Sequence, residues 1–306
     1  MAPGVKDAYA STLKDKVVIV TGAASGFGKL LSESLVQYDA KVLLVDIDPL
    51  VQQVAESLDK QDKGAAHWHQ CDLCQLEAIK PAFDSAVERF GHVDVLMNNA
   101  GIMNKTRFFD QTDSKELEQL IRLNLLAPME ATRIAARYFK ESGRQGVVVN
   151  SASVGGVLPV SFLDIYGTSK AGLIYFTASC KGLAPQVRVS AIAPYFADTP
   201  LVSNSAVFGD YPLLLKAGLV SPEEVVAAML RSICDKSLAG ETLIVAPSKK
   251  PKRLTIFDAT TSQVSFQVVG GLAKKRVLPT GKAVRRALDW AVKVSKKSKP
   301  AAPEQA

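Results

Sequence analysis

Seven short strand-like runs, most of them apolar and each separated from the next by a stretch with helical spacing, constrain the fold more than any other feature of this 306-residue chain. The first run, Val17-Val-Ile-Val-Thr21, leads through Gly22-Ala-Ala-Ser-Gly-Phe-Gly28 into a helical pattern marked by Leu30, Leu31, Leu35 and Val36. Further strands are predicted at 41–46, 65–70, 93–97, 147–150, 187–192 and 242–246. Helices are expected at 49–58, 76–90, about 114–140, from Tyr166 to about Gly182, and after Ser221-Pro222, where a capping residue precedes proline at the first helical position. Strands alternating with helices at this spacing predict an α/β fold whose parallel sheet is covered on both faces.

Composition narrows the class. With 47% hydrophobic and 22% charged residues the chain reads as a globular protein with ample core. The N-terminal residues Met1 to Lys16 hold no apolar segment of signal-peptide length, and no apolar run approaches the roughly 18 residues of a membrane span. Four cysteines make no disulfide framework, so a reducing, cytoplasmic setting is expected. The net charge of +7 is uneven: from Ser248 onward 14 Lys and Arg face only Asp258, Asp289 and Glu304, leaving a mildly acidic body. The expected organisation is one domain over 1–247 and a basic extension over 248–306 ending in a disordered tail. The apolar stripe through Ala283, Val284, Ala287, Leu288, Ala291 and Val292, flanked by basic residues, admits a peripheral membrane or lipid surface as partner, or docking on the body. Nucleic acid is not expected, because no base-reading motif accompanies the charge.

Three stretches carry chemistry. A glycine turn between strand and helix lets a pyrophosphate approach the backbone at a helix N-terminus. Asp46, at the end of the second strand, is placed to accept from ribose hydroxyls and to repel a 2′-phosphate, which points to NAD rather than NADP. Tyr166 and Lys170, four residues apart, share one helix face. Lowering a phenol pKa by about 3 units requires roughly 4 kcal/mol, about what an ammonium some 4 Å away supplies at an effective dielectric near 20. The pair is therefore a candidate acid or base near neutral pH. His67, His69, Cys71 and Cys74 have the composition of a zinc site but lie along a predicted strand and its end, and no metal is expected.

Between about Lys14 and Ala246 the chain resembles the classical short-chain dehydrogenase/reductase family, on Thr21-Gly-Ala-Ala-Ser-Gly-Phe-Gly28, Asn98-Asn-Ala-Gly101, Ser153 and Tyr166-Gly-Thr-Ser-Lys170. The resemblance implies a Rossmann-type doubly wound parallel sheet and an NAD-dependent oxidoreductase interconverting a secondary alcohol and a ketone. It implies that Tyr166 exchanges the proton, Ser153 holds the substrate oxygen, Lys170 lowers the Tyr166 pKa and binds ribose hydroxyls, and Asn124 supports a proton-relaying water chain. It assigns the cofactor to Gly22, Ser25, Gly26, Phe27, Gly28, Asp46, Ile47, Asp72, Leu73, Asn99, Ala100, Gly101, Tyr166, Lys170 and Thr199, with Asn98 also shaping the cleft. It implies a homodimer or homotetramer through the two long helices.

Tyr195 stands where that family usually has glycine, and is expected to disturb the turn or to form part of a substrate wall. Phe162, Leu163, Tyr195, Phe196, Val207, Phe208 and Tyr211 are expected around the cleft mouth, so an apolar small-molecule substrate is expected. Two other readings stand beside this one: a non-catalytic NAD-binding interaction protein acting through the basic tail, and an NADP-dependent ketoreductase.

Overall fold

The structure, a computed structural model, describes residues 9–59, 64–111, 113–160, 162–203, 219–246 and 252–254. The basic extension beyond Leu254, and Val207, Phe208 and Tyr211, lie outside these residues.

The strands are β1 (Val17–Thr21), β2 (Lys41–Asp46), β3 (Ala66–Gln70), β4 (Val95–Asn98), β5 (Gly146–Ser151), β6 (Val187–Pro194), β7 (Thr242–Val245) and β8 (Lys252–Leu254). Their spatial order is β3-β2-β1-β4-β5-β6-β7-β8. The first seven run parallel. β8 pairs antiparallel with β7, so the sheet continues past the residue-247 boundary expected for it. Every residue of β1 is buried, as the apolar run requires when both sheet faces are covered. Its side chains alternate between two cores. Val18 and Val20 pack with Leu31 and Leu35 of helix α1 (Gly26–Gln37), while Val17 and Ile19 pack with Phe83 of helix α3 (Ile79–Phe90) and Phe139. Helix α2 is Leu50–Leu58.

The long helix expected at about 114–140 has three parts: α4 (Lys115–Ile121), a π-helical turn (Arg122–Leu126) and α5 (Ala127–Glu141). Pro128 accounts for the change, because it has no N–H to donate to the carbonyl of Asn124, four residues earlier. Helix α6 (Asp164–Ser179) carries Tyr166 and Lys170, and α7 (Pro200–Ser203) follows β6. Helix α8 (Pro222–Cys234) starts as expected at Ser221, whose hydroxyl accepts from the Glu224 N–H while the Glu224 carboxylate accepts from the Ser221 N–H.

At the N-terminal edge of β1 and β4, buried Asp94 accepts from the Val17 N–H at 3.0 Å and meets Lys16 at 3.2 Å, His92 at 2.9 Å and Arg144 at 3.3 Å. Burial alone would raise its pKa, but the Val17 N–H and Lys16, with His92, outweigh it and leave the carboxyl below its usual value. A depressed acid stabilises the fold above its unfolded pKa and loses that contribution as pH falls through the folded one. Asp94→Ala is therefore expected to destabilise by about 2 kcal/mol, chiefly by orphaning the Val17 N–H. Comparative melts should show the gap between wild type and variant shrinking below about pH 4.

Candidate active site

The sheet order reverses between β1 and β4, and a crevice opens beyond the carboxyl ends of parallel strands at such a point. Here it is a cleft of about 330 Å³ lined by the glycine turn, by the ends of β2 and β4, and by Ser151, Ser153, Tyr166, Lys170 and Thr199.

The cleft floor is stitched by hydrogen bonds between loops. The Thr21 hydroxyl accepts from the Asn99 and Ala100 N–H groups at 2.9 and 3.0 Å, and the Asn99 amide donates to the Thr21 and Gly22 carbonyls. The close approach excludes side chains: a Cβ on Gly22, whose φ is +66°, would sit 2.8 Å from the Ala100 Cα, and one on Gly28 would strike the Gly22 carbonyl oxygen. Gly26, with φ +52°, instead faces open space. Ser25 makes no side-chain cap to α1, and no acidic residue occupies its first turn. These features suit a pyrophosphate, since the first-turn N–H groups and the helix dipole meet no competing carboxylate.

Asp46 lines the cleft beside Ile47. Its carboxylate accepts from the Ala24 N–H at 2.9 Å and the Asp48 N–H at 3.0 Å, one on each oxygen. Each oxygen keeps a lone pair for a ribose hydroxyl. Asp72 and Leu73 line the same end, and Asp72 accepts from the Cys74 N–H at 2.9 Å. Cys71 and Cys74 also line the cleft; burial pushes the Cys71 thiol up to about 11.

Tyr166 and Lys170 are buried, 7% and 4% exposed, on the inward face of α6. The Lys170 ammonium donates to the Ser151 carbonyl at 2.6 Å and lies 5.7 Å from the Tyr166 ring centroid. Burial raises the Tyr166 pKa, the Ser153 hydroxyl pulls the other way, and Lys170 itself is pushed down to about 8 by burial. The unfolded chain holds the lysine proton to about 10.5, so stability from this group rises with pH between roughly 8 and 10.5. The Ser153 hydroxyl is fixed by the Gly155 N–H, which donates to it at 3.1 Å.

Asn124 is fully buried in the π-turn. Its side chain accepts from the Ile102 N–H at 2.9 Å and donates to the Ile102 carbonyl at 2.8 Å and the Ser169 hydroxyl at 3.2 Å. Gly101 lies between it and Lys170: a Cβ there would be 3.1 Å from the Asn124 Oδ1 and 3.3 Å from the Lys170 Nζ. Ser153, Tyr166 and Lys170 thus line one cleft, with Asn124 buried behind Gly101, although the four come from three separate parts of the chain.

Three expectations change. Asn98 acts one layer deeper than the cofactor cleft, donating to the Asn150 side chain at 2.9 Å and to Thr132 and Pro128. Phe162 and Leu163 are 3% and 1% exposed and pack around Tyr166 instead of standing at the mouth. Tyr195 does not disturb the turn: its N–H donates to the Val245 carbonyl at 2.7 Å, extending the β6–β7 pairing, and its ring stacks edgewise on Phe196 at 4.9 Å. Beyond it, Ala197 forms an isolated parallel bridge with Val220, and Thr199 lines the cleft. Apolar lining also comes from Leu201 and from Ile102, Met103 and Leu123, the last three of which the sequence pattern did not single out.

Fold and site together define a dinucleotide-binding oxidoreductase domain. Residues 16–207 match the family described as short chain dehydrogenase, and the chain belongs to that family. The 15-hydroxyprostaglandin dehydrogenase [NAD(+)] of Mus musculus is 32% identical over 254 residues, covering 76% of this chain and 91% of the relative. Among solved structures, a short-chain type dehydrogenase/reductase from Mycobacterium marinum superposes with a TM-score of 0.71 at 25% identity, over 79% of this chain and 97% of its own. The 3-ketoacyl-(acyl-carrier-protein) reductase from Brucella melitensis complexed with NADH gives 0.68 at 29% identity, over 76% and 97%.

Proposed function

We propose that the protein oxidises a secondary alcohol on an apolar small molecule to the ketone, or runs the reverse, using NAD. The observation that carries this reading is the meeting of Ser153, Tyr166, Lys170 and Asn124 beside a glycine-floored cleft with a carboxylate at its ribose end. When bound, the nicotinamide cofactor supplies the hydride acceptor or donor. Gly22, Ser25, Gly26, Phe27 and Gly28 hold the pyrophosphate end, Asp46 and Ile47 the ribose, and Asp72 and Leu73 the adenine. Asn99, Ala100, Gly101 and Thr199 frame the nicotinamide end. The Tyr166 side chain, once ionised to phenolate, takes the alcohol proton and becomes the phenol, the Ser153 hydroxyl holds the reacting oxygen, and Lys170 supplies positive charge and binds ribose hydroxyls. Asn124 supports the route by which protons leave Lys170.

An apolar substrate is supported by Ile102, Met103, Tyr195, Phe196 and Leu201 on the cleft wall. A homodimer or homotetramer through the two long helices is supported by Leu126 and Tyr175, which are 37% and 67% exposed there. A cytoplasmic location is supported by four free thiols. No helix among the described residues is long and apolar enough to cross a membrane.

The test is NADH absorbance with full-length protein and a panel containing a straight-chain 2-alkanol, a 3-hydroxysteroid and a 15-hydroxylated C20 fatty acid. Turnover of at least one supports the reading; NAD binding without turnover of any would favour the interaction-protein alternative. Cofactor choice is tested by Asp46→Asn, which removes the charge and keeps the size. NAD affinity should fall about tenfold, the equivalent of roughly 1.4 kcal/mol, and use of NADP should improve. An unchanged NAD/NADP preference would support the NADP-dependent alternative.

A further inference from the structure

Asn104 is 1% exposed and lies three residues beyond Gly101, outside the cleft lining. Its side-chain oxygen accepts from the Tyr166 backbone N–H at 3.3 Å. Its amide donates to the Asp164 carboxylate at 2.9 Å and to the Phe162 carbonyl at 3.5 Å. The first-turn N–H groups of a helix have no partner within the helix, so one side chain here satisfies an orphan donor belonging to the candidate base itself. Two residues earlier, the Ile102 backbone is gripped on both its N–H and its carbonyl by Asn124. The segment 102–104 is therefore a strut, fastened at one end to the π-turn and at the other to the first turn of α6.

We propose that Asn104 is a positioning residue for the reaction: by tying the start of α6 to this strut it sets where the Tyr166 hydroxyl stands relative to Ser153 and the nicotinamide end of the cleft. The inference rests on the oxidoreductase reading above. The geometry is specific because Asn104 contacts backbone and the Asp164 carboxylate but not the Tyr166 hydroxyl. Its loss would let the helix start move without deleting any reacting group, and a displacement of about 1 Å can lower a rate by about a hundredfold.

The test uses full-length Asn104→Ala, Asn104→Asp, and Asn104→Asp combined with Asp164→Asn, assayed with NAD and the panel alcohol that wild type oxidises best. The first two should lower kcat by about 10–100-fold, leave NAD affinity near wild type, and move the pH–rate profile to higher pH as Tyr166 draws away from Ser153. The double variant exchanges amide and carboxylate across the same hydrogen bond, with the new carboxylate still accepting from the Tyr166 N–H. It should recover kcat to within about threefold of wild type if the two sites are coupled. A merely structural role would lower the melting temperature and active fraction without moving the pH profile. An unmoved profile in the single variants, or a double variant no better than Asn104→Asp, overturns the proposal. Wild type without turnover on any panel alcohol would instead overturn the oxidoreductase reading.

Discussion

Tyr166→Phe is expected to lower kcat for alcohol oxidation by about 10²–10⁴-fold, the range a positioned acid–base group supplies. NAD affinity should hold, because the ring stays packed among Met103, Leu163, Ile165 and Phe196 and only the hydroxyl is lost. Burial raises the phenol pKa, so the wild-type oxidation rate should climb with pH as the hydroxyl ionises to the phenolate that accepts the alcohol proton. Steady-state assays at a series of pH values, with calorimetric NAD titration of both proteins, check the two halves. Comparable kcat in the variant would remove Tyr166 from the chemistry.

Gly28→Ala is the second large effect, and it acts on cofactor binding and on the fold together. The added methyl would meet the Gly22 carbonyl oxygen and approach the Asn99 amide nitrogen to 2.8 Å, and the first of these is backbone that cannot swing aside. Opening the turn should cost about 2–3 kcal/mol of stability and weaken NAD binding by about a hundredfold or more, since helix α1 no longer presents its first turn to the phosphates. Gly26→Ala is the comparison. Its methyl meets no atom within 4 Å, so the cost is mainly the positive φ, about 1–2 kcal/mol. Melts and NAD titrations should rank Gly28→Ala as more damaging to stability. The reverse order would mean that the turn is not the close-packed joint described here.

The sheet was readable because apolar strands and helical spacing are local signals, and β1, β2 and β5 fall within a residue of their expected bounds. Tyr166 and Lys170 were readable for the same reason, being one helical turn apart. What the sequence hid was long-range or set by packing. Phe162 and Leu163 look like cleft residues by composition, yet the chain buries them behind Tyr166. The Lys170 ammonium finds the carbonyl of Ser151, a partner 19 residues away in sequence. Asn104 acts on Tyr166 across 62 residues. The π-turn did have a local signal: Pro128, which removes one donor from an otherwise continuous helix. β8 is three residues long and carries a run of charge that reads as a loop.

In the proposed reaction a hydride, carrying both electrons, leaves the carbinol carbon for the nicotinamide while a proton leaves the hydroxyl. Its most direct test is to incubate the full-length protein with NAD and a panel alcohol deuterated at the carbinol carbon, then weigh the recovered reduced cofactor. The reduced cofactor is expected to carry the deuterium and to be one mass unit heavier. Ketone formed with the label absent from the cofactor would contradict that reaction.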